Sequence, residues 1–311
     1  MYVKDGIMSN LNLVKELREK TLAGMSDCRS ALEEAGWDMD KAVDLIKARG
    51  LNIAAKNENK VAAEGLVKII DYVYDTGFSG ASMVEVNCQT DFVANSLDFN
   101  KFADYVVNAF TNDVVNNKVF DVSSVSDRKN QLMALTKENI NVRRWWAEET
   151  ATLRAKVFNY THSNNKIGVL LTLLAPSVEL TSSEEFKSLG NDICLQIAAM
   201  SPLAVDREHL DPNEVKRQES IFKVQLTEAK KPEASWDKIL VGKFNKWYSE
   251  VCLMEQESII VPKTSVGQLI KNASAKLGGE ISIVNFVRCQ VGEGIEVEKK
   301  DFADEVNALL K

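Results

Sequence analysis

An acid beside an aromatic, Asp91-Phe92, closes the run Val84-Glu85-Val86-Asn87-Cys88-Gln89-Thr90 and is followed by Val93-Ala94. An aromatic that faces outward can wedge into an apolar slot on a partner. The plainer alternative is that Phe92 folds back into the core, as most phenylalanines do. Cys88 would need a histidine or a cationic neighbour to become a nucleophile, and none stands nearby in the sequence. Only His162 and His209 are present, and Cys28, Cys88, Cys194, Cys252 and Cys289 include no CxxC pair, so no zinc ligand set and no metal site is expected. There is no GxxxxGK[ST] to hold phosphates, no GxSxG elbow and no HExxH. Val291-Gly292-Glu293-Gly294 lacks the third glycine of a dinucleotide loop and reads as a turn. The expectation is a protein without cofactor or bond chemistry of its own. It either remodels a partner or, as an adaptor, joins partners.

The elements that must position Asp91-Phe92 are a strand before and a helix after. Val84 and Val86 alternate with Glu85 and Asn87, the period of a strand. Thr90 or Asp91 can cap a helical turn, after which Phe99, Phe102, Val106 and Ala109 recur at helical spacing.

Composition bounds the rest. The chain has 311 residues, enough for two or three domains, with 45% hydrophobic and 27% charged residues, an ordinary globular balance. A net charge of −7 argues against nucleic acid as the direct partner. Five cysteines without pairing signatures read as reduced thiols. No apolar run reaches membrane-spanning length, and neither a signal peptide nor an Arg-rich presequence is expected. Met8 is a second candidate start, with residues 1–7 as an unstructured lead.

In chain order, residues 9–50 read as three short helices. Leu13, Val14 and Leu17 line the first, Cys28, Ala31, Leu32 and Ala35 the second, and Ala42, Val43 and Ile46 the third, which Gly50 closes. Residues 54–64 are polar, as in a tether. Residues 65–74 and 81–88 form a hairpin, and a helix over about 98–110 follows. The pattern recurs with strands at 154–160 and 167–174 and a helix at 183–200, so the two halves look like diverged copies. Between them, residues 123–151 read as an amphipathic helical stretch whose Trp145-Trp146 pair enters the core. Over 212–252, Val215, Phe222 and Leu226, then Trp236, Leu240, Phe244, Trp247 and Val251, suit an antiparallel coiled-coil hairpin broken at Lys230-Lys231-Pro232. A strand at 281–291 and a last helix with Phe302, Val306 and Leu309 complete the chain.

Three stretches carry a resemblance. EVNCQTDFVA at 85–94, LVKELREKTLAGMSDCRSAL at 13–32, and VGQL at 266–269 with VGEGIE at 291–296 and DFADEV at 301–306 are similar, in this order, to the signatures of the elongation factor Ts family. The resemblance frames nearly the whole chain. It implies an α+β fold with a ubiquitin-associated-like three-helix domain (9–55) and a two-part core with small antiparallel sheets (56–150, then 151–208 with 253–292). An inserted coiled-coil hairpin (209–252) and a C-terminal helical module (293–311) complete it.

It also implies guanine-nucleotide exchange on elongation factor Tu, in the cytoplasm of a bacterium rather than an organellar matrix. Thr90, Asp91, Phe92 and Val93 would then contact the partner and dislodge Mg²⁺. Arg18, Met25 and Arg29 would be contacts of the N-terminal domain, and His162 a contact of the second core half, unless it is an ordinary turn histidine. The hairpin is a candidate for homodimerisation. Two positions depart from the family pattern, Leu22 in place of a glycine and Ser26 in place of a methionine.

Overall fold

The structure is a computed structural model that describes residues 3–21, 23–162 and 164–296. Three helices come first: α1 (Val3–Thr21), α2 (Met25–Glu34) and α3 (Met39–Asn57). Val14 and Leu17, Cys28, Ala31 and Leu32, and Ala42 and Ile46 meet in one small core, as their spacing of three and four requires. The reversal between α2 and α3 uses two left-handed residues, Gly36 (φ 62°) and Trp37 (φ 66°). The Asp38 carboxylate then accepts the Lys41 N–H at 3.1 Å. Two expectations fail here. Helix α1 already begins at Val3, so residues 3–7 are no unstructured lead, and α3 continues through Gly50 to Asn57.

The chain continues through β1 (Glu64–Val73), β2 (Ser79–Cys88), α4 (Asp91–Ala94), α5 (Leu97–Val115), α6 (Ser126–Thr136) and β3 (Asn141–Glu149). The sheet order β1-β2-β3 makes β2 central, and its residues from Gly80 to Cys88 are all buried, the polar ones included. Helix α5 buries Phe99, Phe102, Ala103, Val106, Val107 and Phe110. Gly50 lies where α3 meets α6: a Cβ there would stand 3.4 Å from Ala134 Cβ. The tether is strapped down as well, because Asn139 Nδ2 donates to the carbonyls of Glu58 (3.0 Å) and Lys60 (2.7 Å).

The stretch 123–151 is not one helix. Lys137 takes a left-handed conformation (φ 59°) and ends α6, and the chain then extends into β3. Trp145 is not a core residue either: it is 37% exposed, its ring set edge-on to Phe120 at 5.4 Å, and Trp146 is half-buried.

The second copy comprises β4 (Ala155–Thr161), β5 (Ile167–Leu174) and α7 (Glu184–Met200), followed by α8 (Pro212–Glu228), α9 (Trp236–Val251), α10 (Val266–Leu277) and β6 (Ser282–Gln290). Strands β4 and β5 pair antiparallel, from Ala155 opposite Leu174 to Thr161 opposite Gly168, and β6 completes the sheet in the order β4-β5-β6. Phe158, Leu171, Leu173, Phe186, Ile193 and Ile197 fill the core between sheet and helix. Gly190 is what lets α7 approach, because a Cβ there would stand 2.4 Å from the Phe158 ring. Helices α8 and α9 form a hairpin pinned by Phe222 against Phe244, edge to face at 5.3 Å.

Helices beside two small antiparallel sheets make this an α+β fold. Its contacts divide it into two compact units. One comprises the described residues up to 68, those of 84–145 and those from 290, and the other comprises 69–83 and 146–289. No helix among the described residues is long and apolar enough to cross a membrane. Leu22 and the expected last helix with Phe302, Val306 and Leu309 lie outside the described residues.

Candidate functional site

Strand β2 ends at Cys88, whose buried thiol donates to the Thr90 carbonyl at 3.2 Å. Thr90 is extended (φ −121°, ψ 154°) and caps the single turn α4, its hydroxyl oxygen accepting the Val93 N–H at 3.3 Å. Ser96 caps α5, accepting the Phe99 N–H at 3.3 Å while donating to the Val93 carbonyl at 2.7 Å. Asn100 Nδ2 donates to the carbonyls of Ala94 (3.2 Å) and Ser96 (3.0 Å). The backbone from Cys88 to Ser96 is therefore held at both ends, with Ala94 fully buried as its peg.

On so short a turn, burying Ala94 turns Phe92 outward. Phe92 is 83% exposed, which settles the choice between core and surface, and Leu97 at 67% stands exposed a few residues on. Asp91 is exposed and Val93 half-buried. An exposed phenylalanine on a backbone this constrained has no packing role in its own chain.

A residue that sequence reasoning missed completes the turn. Glu138, just after α6, accepts the N–H groups of Gln89 and Thr90 at 3.1 Å each on Oε2, and the Thr90 hydroxyl at 2.6 Å on Oε1. The contact joins positions 48 and 49 residues apart, so no local pattern announces it.

Behind the turn, on β2, Glu85 is fully buried. Its carboxylate accepts from Arg143 (3.1 Å), Arg144 (2.5 Å), Asn87 Nδ2 (3.0 Å) and the Gly292 N–H (2.9 Å). Burial pushes this carboxyl up. The Gly292 N–H, the Arg144 guanidinium and the Asn87 amide outweigh it and leave Glu85 below the ordinary carboxylate range. Gly292 must be glycine: it is left-handed (φ 75°), and a Cβ would stand 2.3 Å from the Ala63 carbonyl oxygen. The Gly-rich turn is thus a structural latch onto β2. Neither Cys194 nor Cys252 is activated, since burial pushes the first up to about 12 and the second up to about 11.

The remaining candidates divide. Arg18 and Met25 line one groove of about 440 Å³, together with Lys15, Asp98 and Leu135, so the structure brings them to the start of α5. Arg29 lines a separate groove of about 170 Å³ with Leu11, Val14 and Trp37, and is paired with Glu33 at 2.8 Å. The three N-terminal candidates therefore line two grooves. His162 is exposed at the turn after β4, its Nδ1 2.9 Å from the Tyr160 hydroxyl, and belongs to the other compact unit. Among the described residues no three His, Cys, Asp or Glu side chains gather to hold a metal.

The profile of the family described as Elongation factor TS matches residues 89–293, beginning at the residue before Thr90. Elongation factor Ts of Clostridium kluyveri is 37% identical over 313 residues, covering 98% of this chain and 99% of that one. The chain belongs to the elongation factor Ts family. Two further family members agree: that of Clostridium acetobutylicum is 38% identical over 98% of this chain and 99% of its own, and that of Symbiobacterium thermophilum 39% over 94% and 95%. Family membership makes the chain a translation elongation factor.

Proposed function

We propose that this chain is a guanine-nucleotide exchange factor that binds elongation factor Tu carrying GDP, loosens its Mg²⁺ and releases GDP so that GTP can rebind. The observation that carries the reading is Phe92, 83% exposed on a turn whose backbone is held at both ends. An adaptor has no need of such a feature. In this reading Thr90 to Val93 enter the partner beside its nucleotide, Phe92 fills an apolar slot between helices, and Asp91 works against the Mg²⁺ coordination. That ion tolerates little distortion of its octahedral ligands, so a small displacement weakens it.

Magnitudes limit what the tip does alone. Burying one phenylalanine contributes about 1.5–3 kcal/mol, about tenfold to a hundredfold in affinity. A broader second contact must hold the factor in place. Arg18 and Met25, in the groove that also includes Asp98, supply a charged and apolar contact on the same compact unit as the tip. Arg29 and His162 add separate contacts, and the α8–α9 hairpin is a candidate for a further contact or for pairing with a second copy. The domain division proposed from the sequence assigns these contacts to an N-terminal three-helix domain, two core halves and an inserted hairpin.

The factor performs no bond chemistry of its own and needs no cofactor. Its work is in the cytoplasm, a reading that its likeness to bacterial elongation factors supports. The test is release of fluorescent GDP from purified elongation factor Tu, with and without the protein. Acceleration that depends on its concentration supports exchange, and an unchanged release rate with demonstrable binding leaves an adaptor.

A further inference from the structure

We infer that Glu138 is a positioning residue for the exchange tip, acting through Thr90 on the direction in which Phe92 is presented; the inference rests on the exchange reading above. Both carboxylate oxygens of Glu138 accept hydrogen bonds from the two residues that lead into the tip: the N–H groups of Gln89 and Thr90 on one oxygen and the Thr90 hydroxyl on the other. A carboxylate only accepts, so the single hydroxyl proton of Thr90 is committed to Glu138. The Thr90 oxygen is thereby left as an acceptor, aimed at the Val93 N–H, which is the cap of the one-turn helix α4. Removing Glu138 would free the hydroxyl to rotate and leave two backbone donors without this acceptor. A helix of four residues cannot compensate from its own hydrogen bonds.

The support under Glu138 is rigid, as a positioning role needs. Leu132, Met133 and Ile140 are buried on either side of it in the chain. Lys137 reverses the backbone, and Asn139 is bonded to the carbonyls of Glu58 and Lys60. Glu138 itself is only half-buried, so its carboxylate is not a core element whose loss would open the unit. The charge-assisted bonds go to the tip, which is where its loss should be felt.

The experiment is a double-mutant cycle on the full chain, with Glu138→Ala, Phe92→Ala, the pair together and Glu138→Gln. Fluorescent-GDP release from elongation factor Tu is followed across factor concentration, with thermal melting as the control for folding. We expect Glu138→Ala to lower the concentration-dependent stimulation about tenfold, within the range that misplacing a working group costs. Adding it to Phe92→Ala should cost little more, because the two act through one contact. Glu138→Gln, whose carbonyl can still accept the two N–H groups, should retain most of the stimulation. Amide exchange at Gln89, Thr90 and Val93 should quicken in Glu138→Ala. If Glu138→Ala melts early, Glu138→Asp, one methylene shorter, takes its place in the cycle with the same expected direction.

Native stimulation by Glu138→Ala beside a crippled Phe92→Ala would overturn the inference alone, as would losses that simply multiply in the double variant. Full stimulation by Phe92→Ala would overturn the exchange reading and this inference with it.

Discussion

The two strand-to-helix junctions, after β2 and after β5, are built alike and end differently. Ser96 and Ser183 each accept the N–H three residues on, at 3.3 Å, and each donates its hydroxyl to the carbonyl three residues back, at 2.7 and 2.8 Å. The residue three past each cap is a fully buried phenylalanine, Phe99 and Phe186. Four residues before the cap the first junction has Phe92 and the second has Glu179, whose carboxyl the Ser177 hydroxyl holds below its ordinary range. Three before the cap, Leu180 packs against the second core, whereas Val93 is half-buried at the edge of the tip. The serine cap and the buried phenylalanine are therefore general solutions for docking a helix on a hairpin. What is particular to the first junction is an exposed aromatic and a carboxylate that holds the turn beneath it.

The sharpest way to break that contrast is to give the first junction the residue of the second. Phe92→Glu should lower stimulated GDP release about a hundredfold, since a charge must then enter an apolar slot, with the melting temperature unchanged. The reciprocal Glu179→Phe should confer no additional stimulation, because the second junction has no comparable tip. Release assays on both variants check the pair.

Next in size is the strut under the first junction. Glu85→Ala leaves Arg143 and Arg144 without their shared carboxylate and should cost on the order of 3 kcal/mol of stability, measured by urea denaturation. The acid limb follows from the direction of its shift. Because Glu85 sits below its ordinary value of 4.5 in the folded chain, its contribution is present above that pH and is lost as pH falls through the depressed value. The native protein should lose stability more steeply below about pH 4.5 than Glu85→Ala does.

Smaller effects sharpen the contact surface. Arg18→Ala with Met25→Ala should weaken affinity for elongation factor Tu about tenfold, the size expected for a contact of moderate weight, read by titration calorimetry. His162→Ala, on the other unit and exposed, should cost about two- to threefold, as an exposed polar contact does.

The sequence made the tip legible because its signals are local. Alternation before Cys88, a cap residue at Thr90, and apolar spacing from Phe99 each span a few residues. Phe92 itself is ambiguous by residue type, and the burial of Ala94 is what turns it outward. The failures were long-range or ambiguous in period. Glu138 reaches back across nearly fifty residues to a backbone that composition does not reveal. The stretch 141–149 sets its residues in like pairs, Arg143-Arg144, Trp145-Trp146 and Glu148-Glu149, which lack the period-2 alternation of a strand; as β3 it brings both arginines to the buried Glu85 on β2. Gly50 resembled a helix stop and is instead the gap into which α6 fits.

Loosening nucleotide through Mg²⁺, as proposed for this tip, is a matter of linkage. If the factor weakens GDP binding by some ratio, GDP must weaken the factor's binding by the same ratio. The direct measurement is the Kd for elongation factor Tu in three conditions: without nucleotide, with GDP and a chelator, and with GDP and excess Mg²⁺. The tightest complex is expected without nucleotide, a weaker one with GDP alone and the weakest with both, and in Phe92→Ala the spread between conditions should collapse. Three equal constants for the native protein would contradict the proposal.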